Sequence, residues 1–360
     1  MSLSPPLPAA RWLRVLALAL PGAVLAPQAS AMPNAPTDAA TSAAADASPT
    51  LAQAATPAAP ARCRNTGLDV VVLGSGGPEL GDRRASSSYL LRENGQARFL
   101  IDLGPGAALN FERAQGRIED VQALLLTHLH VDHVGDLPAL IKAAFFSRRN
   151  QDLPLYGPTG SELFPTTPLF VQRQFGPQGL YPYLADYLSG DESFTLKPVA
   201  VAADRAQPVP FRTELAGFAL TAMPVEHGLV PALAWRIEKD GCALVVSGDT
   251  SNRGGTLDAL AQGADVFIAH NAIPEDSEDR IARLLHMPPS EIGRIAAQAG
   301  SRSLVLSHFM RRTEGVQQAT AQAIARHYGG PLAFAQDCDI YALHSGAKTG
   351  QCPVARADGR

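Results

Sequence analysis

Between the apolar run Val121 to Leu126 and a second one that begins at Leu137, the chain carries Thr127-His128-Leu129-His130-Val131-Asp132-His133. Three imidazoles and a carboxylate this close together mark a metal site. Neutral ring nitrogens and carboxylate oxygens hold Zn²⁺ while leaving a position open to water. The pattern also constrains the fold. Val121 to Leu126 reads as a buried strand and Leu137 to Phe146 as a helix, so the polar residues fall in the turn at the strand's carboxyl end. Extended chain sends His128 and His130 to one side, whereas Asp132 and His133, at the bend, aim at a second point a few ångströms away. Two metal ions are therefore expected. The competing reading, a polar surface turn, would leave the donors and acceptors of three gathered histidines to be satisfied some other way.

Other strand ends offer matching side chains. Phe218 to Pro224 alternates as a strand and runs into Val225-Glu226-His227-Gly228, with His227 expected on a loop. Ala243 to Ser247 is a buried apolar strand leading into Gly248-Asp249-Thr250, and Ser303 to Ser307 is another, with His308 following at once. Taken singly, His227 would pass for a surface residue and Asp249 for a turn former. Together with the histidine turn they make four cases in which a hydrophobic strand delivers a ligand-type side chain at its carboxyl end.

The chain has 360 residues, 46% of them hydrophobic, which is enough for a substantial core. Arg11 and Arg14 precede an apolar run from Val15 to Ala26, and Ala29-Ser30-Ala31 supplies the small residues of a signal-peptidase site. Residues 1–31 are read as a signal peptide and the product as secreted or periplasmic. Pro21 and Gly22 interrupt a run already short of the roughly 20 residues a bilayer span needs, so no membrane span is expected. Residues 32–62 are mostly Ala, Pro, Thr, Ser and Asp, a composition that cannot offset its own ordering entropy, and are read as a disordered linker. One domain is expected over 63–344, followed by a polar tail, 345–360.

Cys63, Cys242, Cys338 and Cys352 are an even set in an exported chain, which points to one or two disulfides. Cys63 and Cys352 flank the domain and are placed to staple its ends, while Cys242 and Cys338 fall in expected strands as buried thiols; all three full connectivities stay open. The net charge of −4 argues against a dedicated polyanion binder, because such binding needs a concentrated basic surface.

The His-x-His-x-Asp-His turn followed in order by His227, Asp249 and His308 resembles the metallo-β-lactamase superfamily, over nearly all of residues 68–344. Leu73-Gly74-Ser75-Gly76-Gly77-Pro78, Arg84-Ala85-Ser86-Ser87-Ser88, Ile101-Asp102-Leu103-Gly104-Pro105-Gly106 and Leu155-Tyr156-Gly157-Pro158 are similar to its ribonuclease Z and arylsulfatase branch. Ser247-Gly248-Asp249-Thr250 and Leu306-Ser307-His308-Phe309 belong to the same pattern. The resemblance implies an α/β fold, a four-layered αββα sandwich with the metals at one edge. It implies that His128, His130 and His227 hold one Zn²⁺, that Asp132, His133 and His308 hold the other, and that Asp249 bridges them. Mn²⁺ or Fe²⁺ suits the same donors. Hydroxide on the metals is then the implied nucleophile, with Asp132 orienting it. Dimers occur among the proteins it resembles, so a homodimer stays open.

Asp249 also bears on the substrate. True β-lactamases of the superfamily generally lack a carboxylate there, so the resemblance favours phosphodiester, sulfate ester or thioester hydrolysis. The ribonuclease branch has a His-Glu pair where this chain has His270-Asn271, and the carboxylate that would orient a catalytic histidine is missing. His270 is expected to back the site or sit in the core. His286, in Leu285-His286-Met287-Pro288-Pro289 ahead of a helix expected over Pro289 to Ala299, is the candidate proton donor to the leaving oxygen. A purely structural role as a helix-leading loop residue stands beside that reading. Arg312 lies where the branch has an arginine after its last ligand histidine, although Thr313 replaces the usual tyrosine.

The segment between His133 and His227 contains Tyr156, Phe164, Phe170, Phe175, Tyr181, Tyr183 and Tyr187, which either line a site for an aryl leaving group or pack a core. The expected protein is an exported dizinc hydrolase of a small-molecule ester, an aryl sulfate or phosphodiester, with nucleic acid not expected as a partner. A β-lactam or lactone hydrolase and a non-catalytic metal-binding protein are the alternatives.

Overall fold

Strand β1 (Leu68–Gly74) is buried on both faces, with Val70 and Val72 in one apolar cluster and Val71 and Leu73 in another. Alternation with period two makes each such strand the wall between two cores. The computed structural model describes residues 63–353; the signal peptide and linker expected over 1–62 lie outside the described residues. An eight-stranded sheet contains β1, β2 (Ser88–Glu93), β3 (Gln96–Ile101), β4 (Ala123–Leu125), β5 (Leu153–Pro158), β6 (Leu196–Val201), β14 (Asp339–Ala342) and β15 (Lys348–Gln351), in the order β15-β14-β1-β2-β3-β4-β5-β6. A seven-stranded sheet contains β7 (Phe211–Leu215), β8 (Phe218–His227), β9 (Val230–Lys239), β10 (Cys242–Val246), β11 (Val266–His270), β12 (Ser303–Ser307) and β13 (Leu332–Phe334), in the order β13-β12-β11-β10-β9-β8-β7.

Three cores divide the molecule into four layers. Val70, Tyr89 and Phe99 of the first sheet meet Trp235, Val246 and Ile268 of the second. The outer face of the first sheet packs on α1 (Ala107–Arg113), α3 (Leu137–Ala144), α4 (Thr167–Phe175) and α5 (Asp186–Ser189) through Phe111, Leu140, Val171 and Tyr187. The outer face of the second packs on α6 (Thr256–Leu260), α7 (Pro289–Gln298) and α8 (Gln317–Ala325) through Leu257, Ile292 and Ile324. This is the αββα sandwich that the resemblance implies.

Parallel pairing of β3, β4, β5 and β6, and of β10, β11, β12 and β13, points several strand ends toward one edge. Trp235, fully buried between the sheets, donates its indole N–H to the Leu126 carbonyl at 3.0 Å. Truncating such a ring costs about 3–5 kcal/mol, and this one pins the strand end from which the histidine turn departs.

Three sequence expectations need correction, and one open alternative is decided. His227 is the last residue of β8 and pairs with Val230 across a tight hairpin, instead of lying on a loop. Cys63 is bonded to Cys242, leaving Cys338 and Cys352 as thiols. The segment around Arg64 runs past β10, close enough for its carbonyl to lie 3.5 Å from the Cys242 sulfur, so the first end of the fold is tied to an inner strand and not to the last end. The boundary expected at His344 falls inside the sheet, since β15 pairs with β14 beyond it. Most of the aromatics between His133 and His227 are core: Phe175 and Tyr187 are buried under the first sheet, and Tyr156 packs on Trp235. Phe164 is the exception near the site, its ring centroid 6.4 Å from that of His130. Among the described residues no helix is long and apolar enough to cross a membrane.

Candidate metal centre

β4 ends at Leu125, and after Leu126 and Thr127 the chain turns through His128 and His130 into α2 (Val131–Val134), one helical turn that carries Asp132 and His133. β10 ends just before Gly248, whose φ of 57° lies in the left-handed region; a Cβ there would sit 2.9 Å from the Cβ of Thr127. Glycine is needed for the bend that swings Asp249 into the edge. His308 follows β12 directly, itself at φ 59°, with Gly77 packed against its ring so closely that a Cβ would lie 2.9 Å from Cε1. Asp337 holds that glycine loop, accepting from Ser75 N at 2.9 Å and Ala85 N at 2.7 Å.

All seven expected ligands converge, and all but His130 are buried. His227 Nε2 lies 3.4 Å from His130 Nδ1, and His128, His130 and His227 form one group able to hold an ion. Asp132 Oδ2 lies 3.4 Å from His133 Nε2 and 3.3 Å from His308 Nε2. One oxygen stands between the two groups. Asp249 Oδ2 is 3.9 Å from His128 Nε2, 3.6 Å from His227 Nε2, 3.6 Å from His133 Nε2 and 3.3 Å from His308 Nε2.

The outer ring nitrogens explain why these inner ones are available. His133 Nδ1 lies 2.7 Å from Asp102 Oδ2, so the carboxylate keeps the proton on Nδ1 and the lone pair on Nε2. Thr127 Oγ1 donates its only hydrogen to the same oxygen at 2.7 Å, and therefore accepts from His128 Nδ1 at 3.1 Å. His227 Nδ1 donates to the Leu285 carbonyl at 2.9 Å. In the neutral form of each ring the lone pair turns inward, and the buried Nε2 atoms of His128, His133 and His308 have no hydrogen-bond partner in the protein. Buried nitrogens left so would be costly, and a divalent cation is the species that suits converging imidazole and carboxylate lone pairs. The residues present fit metal ions.

The family model for the beta-lactamase superfamily domain matches residues 97–309. The chain belongs to the metallo-β-lactamase superfamily. Ribonuclease Z of Mycolicibacterium paratuberculosis (strain ATCC BAA-968 / K-10) is 30% identical over 283 residues, covering 75% of this chain and 96% of that protein. Ribonuclease Z of Mycobacterium sp. (strain KMS) is 31% identical over 268 residues, covering 72% and 90%. Among solved structures, human tRNase Z, short form, superposes with a TM-score of 0.58 at 20% identity, over 76% of this chain and 99% of that one. The metallo-beta-lactamase fold protein YhfI from Bacillus subtilis gives 0.59 at 23%, over 76% and 98%. With these relatives, this superfamily member is a metal-dependent hydrolase acting on ester bonds.

Two residues beside the ligands take roles that the sequence leaves open. His270 Nδ1 donates to Asp249 Oδ1 at 2.7 Å, and Tyr89 OH donates to His270 Nε2 at 2.8 Å. Both His270 nitrogens are thereby used, so His270 orients Asp249 and leaves Oδ2 free to face the ligand groups. His286 is buried with its ring centroid 5.3 Å from that of His227 and 5.7 Å from that of His308. Burial, opposed by Asp249 and reinforced by His308, His227 and Arg312, holds its pKa down at about 3. The ring is neutral at pH 7. Asp102, Tyr89 and Thr127 were not picked out in the sequence as site residues. The signal for Asp102 was available: a lone carboxylate between the apolar Phe99 to Ile101 and Leu103 must find a partner if it is buried.

In the metal-free protein, burial pushes His308 down, but Asp249 and Asp132 outweigh it and hold the ring at about 9, above the ordinary 6.5. Burial also opposes the charge on His133, and Asp102, Asp132 and Asp249 together hold its pKa well above the ordinary value. A raised folded pKa stabilises fully below the unfolded value, and that stabilisation is lost as pH rises through the folded one. Through His308 the apoprotein is thus expected to lose stability between pH 6.5 and about 9. Metal uptake should strengthen over the same window, because a ligand nitrogen must shed its proton. Calorimetric metal titration at pH 7 in buffers of different ionisation enthalpy should register proton release; uptake without it would contradict the pairing.

Proposed function

We propose that the chain is an exported dinuclear zinc hydrolase of small phosphodiesters. Asp249 Oδ2, within 3.3–3.9 Å of ring nitrogens from both ligand groups, is the observation that carries this reading. Bound there, two divalent cations would lower the pKa of a water and offset charge growing on a phosphoryl oxygen. The protein's part is to hold the geometry: His270 and Tyr89 fix Asp249, Asp102 and Thr127 fix His133 and His128, and Asp132 is placed to orient the attacking water.

An open cleft of about 740 Å³ beside His286 is lined by Arg253 and Arg283. Its third arginine, Arg294, is already engaged by Asp258 and Glu291 at 2.6 Å each. Two guanidiniums near the ligand edge favour an anionic ester. The ribonuclease Z name of the relatives favours a phosphodiester over an aryl sulfate. It also supports a second reading, an RNA substrate. The net charge of −4 favours the small diester. Export rests on the charged and apolar pattern of residues 1–31, and the Cys63–Cys242 bond suits an oxidising compartment.

Purified protein with quantified metal, offered a bis-aryl phosphodiester, a chromogenic aryl sulfate, nitrocefin and a structured RNA, separates the readings. Highest kcat/KM on the diester is expected; a higher value on the RNA or the sulfate would replace this reading with that one. His286, neutral at pH 7, can give a hydrogen bond to the leaving oxygen, and it would act as an acid only where bound anionic substrate raises its pKa toward the working pH. His286→Ala is therefore expected to slow an alkyl diester by about 10²–10⁴ and an aryl diester by about tenfold or less. Equal losses on the two would leave His286 without an acid role.

A further inference from the structure

Cys338 and Cys352 stand at the last end of the described fold and play no part in the centre described above. β14 and β15 pair antiparallel, with Asp339 opposite Gln351 and Ile340 opposite Gly350. One step outward, the same register sets Cys338 opposite Cys352, and a backbone hydrogen bond from Cys352 N to Cys338 O at 2.9 Å marks that step. Directly opposed residues of an antiparallel pair have Cα atoms about 4.5–5.5 Å apart, inside the range of about 4.4–6.8 Å that a disulfide spans. Both side chains also face one environment: Cys352 is buried in the core under the first sheet, and Cys338 packs against the same cluster.

β15 gives such a bond something to do. Among the described residues it is the edge strand of its sheet, its residues are largely exposed, and β14 is its one partner strand. An edge strand with so little apolar burial opens readily. The first end of the fold is already tied to an inner strand by Cys63–Cys242.

We propose that Cys338 and Cys352 form a second disulfide, which fastens β15 to β14. The oxidant is a disulfide of low-molecular-mass or protein thiols. The thiolate of one cysteine attacks it, one thiol leaves, and the second cysteine displaces the other thiol from the mixed disulfide. Two cysteine hydrogens pass to the oxidant as two new thiols while one S–S bond forms in the chain.

The full chain, with Cys63–Cys242 intact, is incubated with oxidised glutathione, alkylated, digested and read by mass spectrometry. The expected product is a cross-linked peptide pair containing Cys338 and Cys352, lighter by two hydrogens than the two thiol peptides together, with no alkylated cysteine. Alkylation of both thiols, a glutathione retained on either, or exchange of partners with Cys63 or Cys242 would overturn the proposal. Hydrogen exchange tests the fastening: amides of Lys348 to Gln351 should exchange at least about tenfold faster in the Cys338→Ser/Cys352→Ser double variant than in the oxidised chain. Equal exchange would mean that the bond does not hold the strand. The mass measurement needs no variant and stands even where the double variant does not fold.

Discussion

Asp249→Ala is expected to lower kcat/KM on the diester by at least about a thousandfold and to strip both ions together. Asp249 is buried, and its two oxygens have separate duties: Oδ1 accepts from His270, and Oδ2 faces His128, His227, His133 and His308. Removing the carboxylate leaves each histidine group a ligand short and takes away the negative charge that lets two cations sit close together. Asp249→Asn separates charge from shape, because it keeps an acceptor oxygen and the fit while losing the charge; metal retention intermediate between wild type and Asp249→Ala is expected. Metal content after dialysis, measured beside turnover, reads both effects. Full turnover with undiminished metal in the alanine variant would sink the dinuclear assignment.

Asp102→Ala should have the second largest effect, chiefly on the metal-free protein. Asp102 is fully buried and accepts three hydrogen bonds at 2.7 Å, from Thr127 N, Thr127 Oγ1 and His133 Nδ1. Without it, a buried imidazole whose charge depends on neighbouring carboxylates loses its closest one. Breaking a buried pair from one side costs about 3–5 kcal/mol, and loss of an outer partner of a metal-ligating histidine costs about 10–100-fold in metal affinity. Urea unfolding of the apoprotein reads the first number and competition with a chelator the second. A variant within about 1 kcal/mol of wild type and unchanged in affinity would show that Asp102 does not set the His133 tautomer.

The strand ends were legible because hydrophobic alternation is a local signal. Ser303 to Ser307 and the residues before Asp249 announce buried strands, and whatever polar residue follows such a strand must emerge at the edge of a sheet. The seven ligand-type residues could be read in this way, one strand end at a time. The companions could not. Tyr89 meets His270 across 181 residues of sequence, and Asp102 meets His133 across 31. Tyr89 does not differ locally from an ordinary strand residue, and the lone carboxylate of Asp102 announces a need for a partner without naming which one. The aromatics between His133 and His227 left two readings open for a related reason, since a ring looks the same in sequence whether it lines a cleft or, like Phe175 and Tyr187, fills a core. The disulfide partner of Cys63 depended on which strand its segment passes.

By itself the sequence determined the kinds of donor atom and the strand ends that carry them, because backbone periodicity and burial act over a few residues. Only the tertiary structure decided which lone pairs converge. That depends on the pairing order β12-β11-β10-β9-β8 across one sheet and on β4 in the other, which brings Asp249, His308, His227 and the histidine turn to a common edge. It depends as well on the far side of each ring. Asp102, Thr127 and the Leu285 carbonyl hold the outer nitrogens of His133, His128 and His227 and so turn the inner ones toward a metal, and those partners are set by contacts between distant segments.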